Sequence, residues 1–342
     1  MSPPLRLSVL DQSPIPSGSS VTRALANSVN LAQLCERLGY ERYWLAEHHG
    51  TAGLAGSAPE VLIAHVAAHT TAIRVGSGGV MLSHYSPLKV AEQFRLLEAL
   101  HPGRIDLGIG RAPGSEQLAA LALQRNRQHP SSDDFVEQIA ELRAWFEGSF
   151  PAEHPFSRLR ATPVPDDAPE LWLLSSSGYS AKVAAHFGAG LCFAHFISAE
   201  GGPEAIATYR ELFRAADEGG EAKASVAISV ICADSDDEAE RLAESGRLWR
   251  FRQRRFGERG PVPPVTEALE YPYSAADRLL LEAGRGRAVV GGPERVRAEL
   301  AALADTYEVD EVVVVTITHD HEARCRSYEL LAEMFALTSR AL

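Results

Sequence analysis

The feature that most constrains this chain is a recurring ending: short apolar runs break off into small, polar or titratable residues. Four examples are Trp44-Leu45-Ala46-Glu47-His48-His49, Val75-Gly76-Ser77-Gly78-Gly79, Leu107-Gly108-Ile109-Gly110-Arg111 and Leu173-Leu174-Ser175-Ser176-Ser177-Gly178. Between such runs stand longer stretches with helical periodicity, such as Leu25, Val29, Leu31, Leu34 and Leu38. Short apolar strands alternating with amphipathic helices are the pattern of a parallel βα repeat. In a closed barrel of that kind, active sites lie at the C-terminal strand ends.

Read in order, the chain predicts strands over residues 5–10, 42–46, 73–82, 104–109, 171–174, 190–193, 226–233 and 312–317. Helices are expected over about 20–38, 58–70, 87–100, 133–147, 180–187, 203–216, 236–256 and 322–337. Gly39 is placed to end the first of them, and Pro59 to begin the second. The near-unbroken β-branched run 312–317 suits a strand covered on both faces. Eight strands and eight helices predict an α/β fold, a TIM barrel, read as one domain over residues 1–342. The bare fold needs roughly 250 residues. The surplus falls in segments 110–132, 148–169 and 257–287, none with a strand pattern. The last, between the seventh and eighth strands and rich in Arg, Gly and Pro, is expected to be a lid.

A formal net charge of −12 disfavours long-range attraction to nucleic acid or an anionic membrane, which leaves a small molecule as the expected partner. There is no signal-peptide pattern and no bilayer-length apolar run, so a soluble cytoplasmic protein is expected. The four cysteines, Cys35, Cys192, Cys232 and Cys325, form no CxxC pair. They suggest reduced core residues rather than a disulfide framework or a zinc knuckle.

Each polar cluster has a functional and a structural reading. Glu47, His48 and His49 end a buried strand, where imidazole can exchange protons near neutrality; the alternative is a surface loop. His65 and His69 have the i,i+4 spacing of a helical metal pair but lack the adjacent glutamate, which favours surface or capping histidines. His319-Asp320-His321 reads as a helix-start loop. Gly76-Ser77-Gly78-Gly79 implies either close approach of a flat ligand or a β-bulge. Gly108-Ile109-Gly110 is too incomplete for a dinucleotide fingerprint. The serines of Ser175-Ser176-Ser177-Gly178-Tyr179-Ser180 open a helix, where free N–H groups and hydroxyls can hold a phosphate, with Arg111 adding charge; simple N-capping accounts for part of the cluster. Gly291-Gly292-Pro293-Glu294 is a rival phosphate position that better suits plain capping.

Taken together, Trp44 to His49, Val90-Ala91-Glu92-Gln93-Phe94, Pro102 to Arg111 and Ser176 to Ala181 resemble the bacterial luciferase-like flavin monooxygenases, in the family's order and over nearly the whole chain. The resemblance implies a TIM barrel that binds FMN, or the deazaflavin F420, at the C-terminal strand ends. It places the family's catalytic position at His48, with Glu47 or His49 orienting it. It implies a non-proline cis peptide at Gly78-Gly79 beneath the isoalloxazine ring. It gives Arg111, Ser177 and Ser180 to the flavin phosphate, in one loop with Ser176, Gly178 and Tyr179. No metal is implied. It further implies reduced FMN delivered by a separate reductase, O2 as co-substrate, a C4a-hydroperoxide that oxygenates a small organic substrate, and a homodimer. Gly110 and Ser176 stand where luciferase has cysteine and glutamate, so light emission is not implied. An F420-dependent hydride-transfer enzyme and a non-catalytic flavin-binding protein share the same barrel and stay as alternatives.

Overall fold

A computed structural model describes residues 5–111, 117–123, 134–213 and 221–339. Its elements alternate along the chain: β1 (Arg6–Asp11), α1 (Val21–Leu38), β2 (Arg42–Leu45), α2 (Pro59–Ala68), β3 (Arg74–Met81), α3 (Pro87–Leu100) and β4 (Ile105–Gly110). There follow α4 (Gln117–Leu123), α5 (Phe135–Glu147), β5 (Glu170–Ser175), α6 (Gly178–Phe187), β6 (Gly190–Ala194), α7 (Gly202–Leu212) and β7 (Ala224–Cys232). The last part holds α8 (Asp236–Phe256), α9 (Val265–Glu270), α10 (Ala275–Glu282), β8 (Ala288–Gly291), α11 (Pro293–Tyr307), β9 (Glu311–Val315) and α12 (His321–Met334).

Strands β1 to β7 pair in sequence, β7 pairs with β9, and β9 returns to β1, all in parallel. These eight strands form the closed TIM barrel. The ninth, β8, pairs with Ser229–Cys232, the C-terminal half of β7. The sequence reading has no strand there, because a four-residue run flanked by Arg and Gly carries almost no periodicity; it assigns no elements to α9 and α10, and the helix it places after Gly292-Pro293 is α11. The segment 257–287 contains α9, α10 and a 3₁₀ turn rather than open loop. Its first part is tied down: Val262 bridges to Pro16, and the Ala52 N–H donates to the Arg259 carbonyl at 2.9 Å. Most of segment 110–132 lies outside the described residues.

Local chemistry sets the helix limits. The Ser20 hydroxyl accepts from the Arg23 N–H, and Gly39 closes α1 with φ +89°, the left-handed geometry of a C′ glycine. Ser235 caps α8 in the same way, and Asp320 caps α12.

Both faces of the strands are buried. In β9, Val312 and Val314 join the layer between sheet and helices, whereas Val313 and Val315 point into the barrel with Leu10, Trp44 and Trp172. The interior alternates large and small: Trp44 lies beside Gly76, and Trp172 beside Gly108 and Gly190. A Cβ on Gly190 would sit 2.7 Å from the Trp172 ring. Below the tryptophans the barrel is closed by charge. Arg42 donates to Glu311 at 2.7 Å and to Asp106 at 2.9 Å, Arg74 reaches Asp106, and the Trp44 indole N–H donates to Asp106 at 2.8 Å. All of Arg42, Asp106 and Glu311 are buried. That plug leaves the opposite end, where the strands finish, as the open mouth.

Candidate active site

β2 delivers its last residues to the mouth, and the loop after it is pinned by the His48 N–H donating to the Gly56 carbonyl at 2.7 Å. Glu47 is fully buried, so its carboxylate needs donors. It has three. Oε1 accepts from His49 Nε2 at 2.7 Å and from the Tyr85 hydroxyl at 2.8 Å, and Oε2 accepts from the Met81 N–H at 2.9 Å. Glu47 therefore ties the end of β2 to the end of β3 and to the turn before α3. Burial, and the Glu47 carboxylate beside it, push the Tyr85 phenol well above its usual range.

His48 is half-buried and faces the mouth. Burial first, then the nearby His49 and Arg259, pull its pKa down to about 4, so the ring is neutral at pH 7. Its Nδ1 is buried and has no hydrogen-bond partner among the described residues. A neutral imidazole offers one donor and one acceptor, and here part of that capacity is left for a ligand.

Gly78-Gly79 is a cis peptide, as the resemblance implied. It coincides with a register shift between β3 and β4, where Gly78 pairs with Gly108 but Val80 pairs with Ile109. The bulge reading of these glycines therefore holds, and both also face the cavity. What crowds them is the barrel itself. A Cβ on Gly79 would meet the Gly108 carbonyl oxygen at 2.7 Å and Leu174 Cδ1 at 2.8 Å, and one on Gly78 would strike Leu10.

Across the mouth, β5 runs into α6. Ser177 takes the N-cap position with extended backbone, yet its side chain makes no capping bond. The Ser175 hydroxyl instead accepts from the Ser177 N–H at 3.0 Å. The simple N-capping account thus fails for Ser177, and the first N–H groups of α6 remain available. Ser176 to Tyr179 are exposed and Ser180 is buried. The Arg111 guanidinium stacks 4.7 Å from the Tyr179 ring centroid.

These groups surround a cavity of about 340 Å³. Of the expected site residues, Glu47, His48, Gly78, Gly79, Arg111 and Ser176 line it. His49 stands behind Glu47, and Ser177, Gly178, Tyr179 and Ser180 continue from Ser176 along the start of α6, outside the lining. Gln12, Met81, Phe196, Trp249, Arg250, Gln253 and Arg254 also line it, and the sequence reading does not single them out. The last four have the i, i+1, i+4, i+5 spacing of one helix face, a signal visible in α8 once its direction is known.

The remaining clusters are structural. His65 and His69 are exposed on α2, with His69 Nδ1 2.8 Å from the His65 carbonyl. His319 and His321 contact the Ser17 carbonyl and Asn30, and Asp320 caps α12. At Gly292 the N–H donates to Asp236 at 2.6 Å, so a carboxylate already occupies the rival phosphate position. Cys35, Cys192 and Cys232 are buried free thiols, and Cys325 is partly buried. Among the described residues no helix is long and apolar enough to cross a membrane.

A parallel barrel with its titratable groups and cavity at the C-terminal strand ends defines a TIM-barrel enzyme. The chain belongs to the luciferase-like monooxygenase family, whose model matches residues 5–308. It is 39% identical to the N-acetyl-S-alkylcysteine monooxygenase of Bacillus subtilis (strain 168) over 342 residues, covering 98% of this chain and 100% of the relative. The apo-MsnO8 crystal structure superposes with a TM-score of 0.89 at 43% identity, covering 98% of this chain and 99% of that one. The oxygenating constituent of 3,6-diketocamphane monooxygenase from Pseudomonas putida, solved with FMN, shares the fold at TM-score 0.70 and 19% identity, covering 99% of each chain.

Proposed function

We propose that this protein is a two-component flavin monooxygenase: it takes reduced FMN from a separate reductase and uses O2 to oxygenate a small organic substrate. The observation that carries the reading is the pairing, in one cavity, of a neutral half-buried His48 whose Nδ1 lacks a partner among the described residues with Arg111 and Ser176, and with the uncapped start of α6 at the cavity's rim. A flavin mononucleotide has the matching parts, a flat polar ring system and a phosphate. The donor set of guanidinium, hydroxyls and helix N–H groups suits that phosphate. The FMN complex on the same fold and the monooxygenase relative support it.

When bound, reduced FMN would supply the electrons that activate O2. The chain's own residues have narrower tasks. His48 holds or moves a proton at the ring nitrogen that lacks a partner. Glu47, fixed by three donors, orients His49 and the loop that carries His48. Ser177 and Ser180 complete the phosphate cradle beside Gly178 and Tyr179. Leu174, Trp249 and Val315 exclude water from the cavity. The reading includes one barrel domain with 257–287 as its lid, and a cytoplasmic homodimer.

Anaerobic titration with reduced FMN and with reduced F420, followed by mixing with oxygenated buffer, tests it. The expected result is saturable binding of reduced FMN and reoxidation slower than that of free flavin. Binding of F420 alone would move the reading to hydride transfer, and reoxidation at the free-flavin rate would reduce it to flavin storage.

A further inference from the structure

The site cavity adjoins a second chamber of about 310 Å³, and the two share Phe196, Ser229, Arg250, Arg254, Val315 and Ile317 in their walls. The wall of the second chamber contains seven arginines and one acidic residue, Glu240. Four of the arginines have carboxylates nearby. Arg247 pairs with Glu240 and Glu244, Arg285 with Glu282, and Arg295 with Glu299, while Arg255 lies 3.8 Å from Asp277. The other three, Arg250, Arg254 and Arg287, have no ion pair and no side-chain hydrogen bond among the described residues.

Their positions are imposed by the fold. Arg247, Arg250 and Arg254 fall at i, i+3 and i+7 of α8, one stripe of the helix. Arg287 comes from the turn before β8, and that turn is fixed by the buried His195, whose Nε2 lies 2.9 Å from the Gly286 carbonyl and whose Nδ1 lies 2.7 Å from the Tyr307 hydroxyl. The guanidinium groups repel one another. Burial, then Arg254 and Arg247, pull the Arg250 pKa down to about 10, and burial, then Arg287, pull Arg254 down. Arg254 is exposed, but Arg250 and Arg287 are half-buried, and a half-buried cation with like-charged neighbours and no counter-charge is costly unless an anion joins it.

We propose that this chamber binds the acidic group of the substrate: an organic oxoanion, carboxylate or sulfonate, is held by Arg250, Arg254 and Arg287 while the oxidisable end of the same molecule lies in the first cavity near His48. The proposal rests on the reading of that first cavity as the flavin site. One other source of oxoanion exists, the flavin phosphate itself, and the two place different demands on Arg111.

The test uses the full-length protein without flavin, titrated calorimetrically with sodium pyrophosphate at ionic strength held constant with NaCl, so that general screening is cancelled. Wild type is expected to bind at a saturable site. Arg250→Gln, Arg254→Gln and Arg287→Gln should each weaken that binding about tenfold, the scale of one lost charged hydrogen bond. Arg250→Lys should recover most of it, and Arg111→Gln should leave it unchanged. Reduced FMN should show the converse, weakened by Arg111→Gln and unaffected by Arg287→Gln, since Arg287 lies outside the lining of the first cavity. Because Arg250→Gln removes a repelled charge, its melting temperature should equal or exceed that of wild type, which separates lost binding from lost folding. Absence of saturable pyrophosphate binding in wild type would overturn the proposal. So would loss of FMN affinity in Arg287→Gln together with loss of pyrophosphate affinity in Arg111→Gln, which would assign the arginines to the flavin phosphate. Pyrophosphate binding with no flavin binding in any protein would sink the flavin reading and leave the anion chamber standing.

Discussion

Glu47→Gln alters charge and hydrogen-bonding capacity at nearly constant shape, and the buried network around Glu47 fixes what that costs. The carboxylate accepts three bonds, two at Oε1 and one at Oε2. An amide has one acceptor oxygen. If that oxygen serves His49 and Tyr85, the amide NH2 confronts the Met81 N–H, and a buried donor is stranded at a cost of about 1–3 kcal/mol. The two surviving bonds change from charge-assisted to neutral, which roughly halves their strength. A total loss of about 3 kcal/mol follows. Unfolding entropy of about 2.1 cal/mol/K per residue over 342 residues is about 0.7 kcal/mol/K, so the melting temperature should fall by about 4 °C. Scanning calorimetry at pH 7 measures it. Tyr85→Phe in the Glu47→Gln background should cost less than it does alone, because its bond is already weakened. A Glu47→Gln melt within 1 °C of wild type, or additive losses in the double variant, would refute the claim that this carboxylate holds the strand ends together.

Three further outcomes are expected. Arg42→Met leaves the buried Glu311 with only the Ser8 hydroxyl at 2.6 Å and the Arg6 guanidinium at 3.8 Å, and removes one partner of Asp106, so it should destabilise by about 3–5 kcal/mol, the scale for breaking a buried pair; an unchanged denaturation midpoint would show that Arg6, Ser8, Arg74 and Trp44 suffice. His48 has a folded-state pKa of about 4 against an ordinary 6.5, so below pH 6.5 the unfolded chain takes up a proton that the folded one does not, and stability is lost as pH falls from 6.5 to 4. His48→Asn should flatten that part of the pH–stability curve, and His48→Ala should retain FMN binding while oxygenation falls sharply; equal loss of both would contradict a proton-handling role.

The barrel is legible in the sequence because each strand runs into a change of chemistry at its end. Leu45-Ala46-Glu47 shows that change in three residues, and the chain does bring Glu47 and His48 to the mouth. The β-branched run at Val312–Val315 likewise reads as a strand buried on both faces, and its alternate valines pack on opposite sides of the sheet. β8 is not legible, since four residues give too few repeats to establish a period. The position of His49 is not legible for a different reason: whether a side chain faces a cavity or backs a neighbouring carboxylate, as His49 backs Glu47, depends on the loop's path, which spacing does not encode. The arginine chamber is hidden for the same reason. His195, Arg250 and Arg287 are far apart in sequence, and α8 carries Glu238, Glu240 and Glu244 as well as its arginines. Only the packed helix shows that Arg247 claims two of those carboxylates while Arg250 claims none.

The pairing of β8 with β7 gives the second chamber an architecture of its own. Cys232, the last residue of β7, lies opposite Gly291, the last of β8, and the Ala233 N–H donates to the Gly291 carbonyl at 3.3 Å. Everything from α8 to β8 therefore leaves the barrel and comes back at the same point, with its two ends side by side, and between those ends it is held to the body at Pro16–Val262 and Ala52–Arg259. Arg247, Arg250, Arg254 and Arg287 all travel in that stretch, whereas Glu47, His48, Gly78, Gly79, Arg111 and Ser176 stay behind. The first cavity draws on both parts, with Trp249 and Arg250 from this stretch facing Glu47 and His48 from the rest, so a change confined to one contiguous piece of the gene would reshape a single wall of both chambers while the opposite wall stayed as it is.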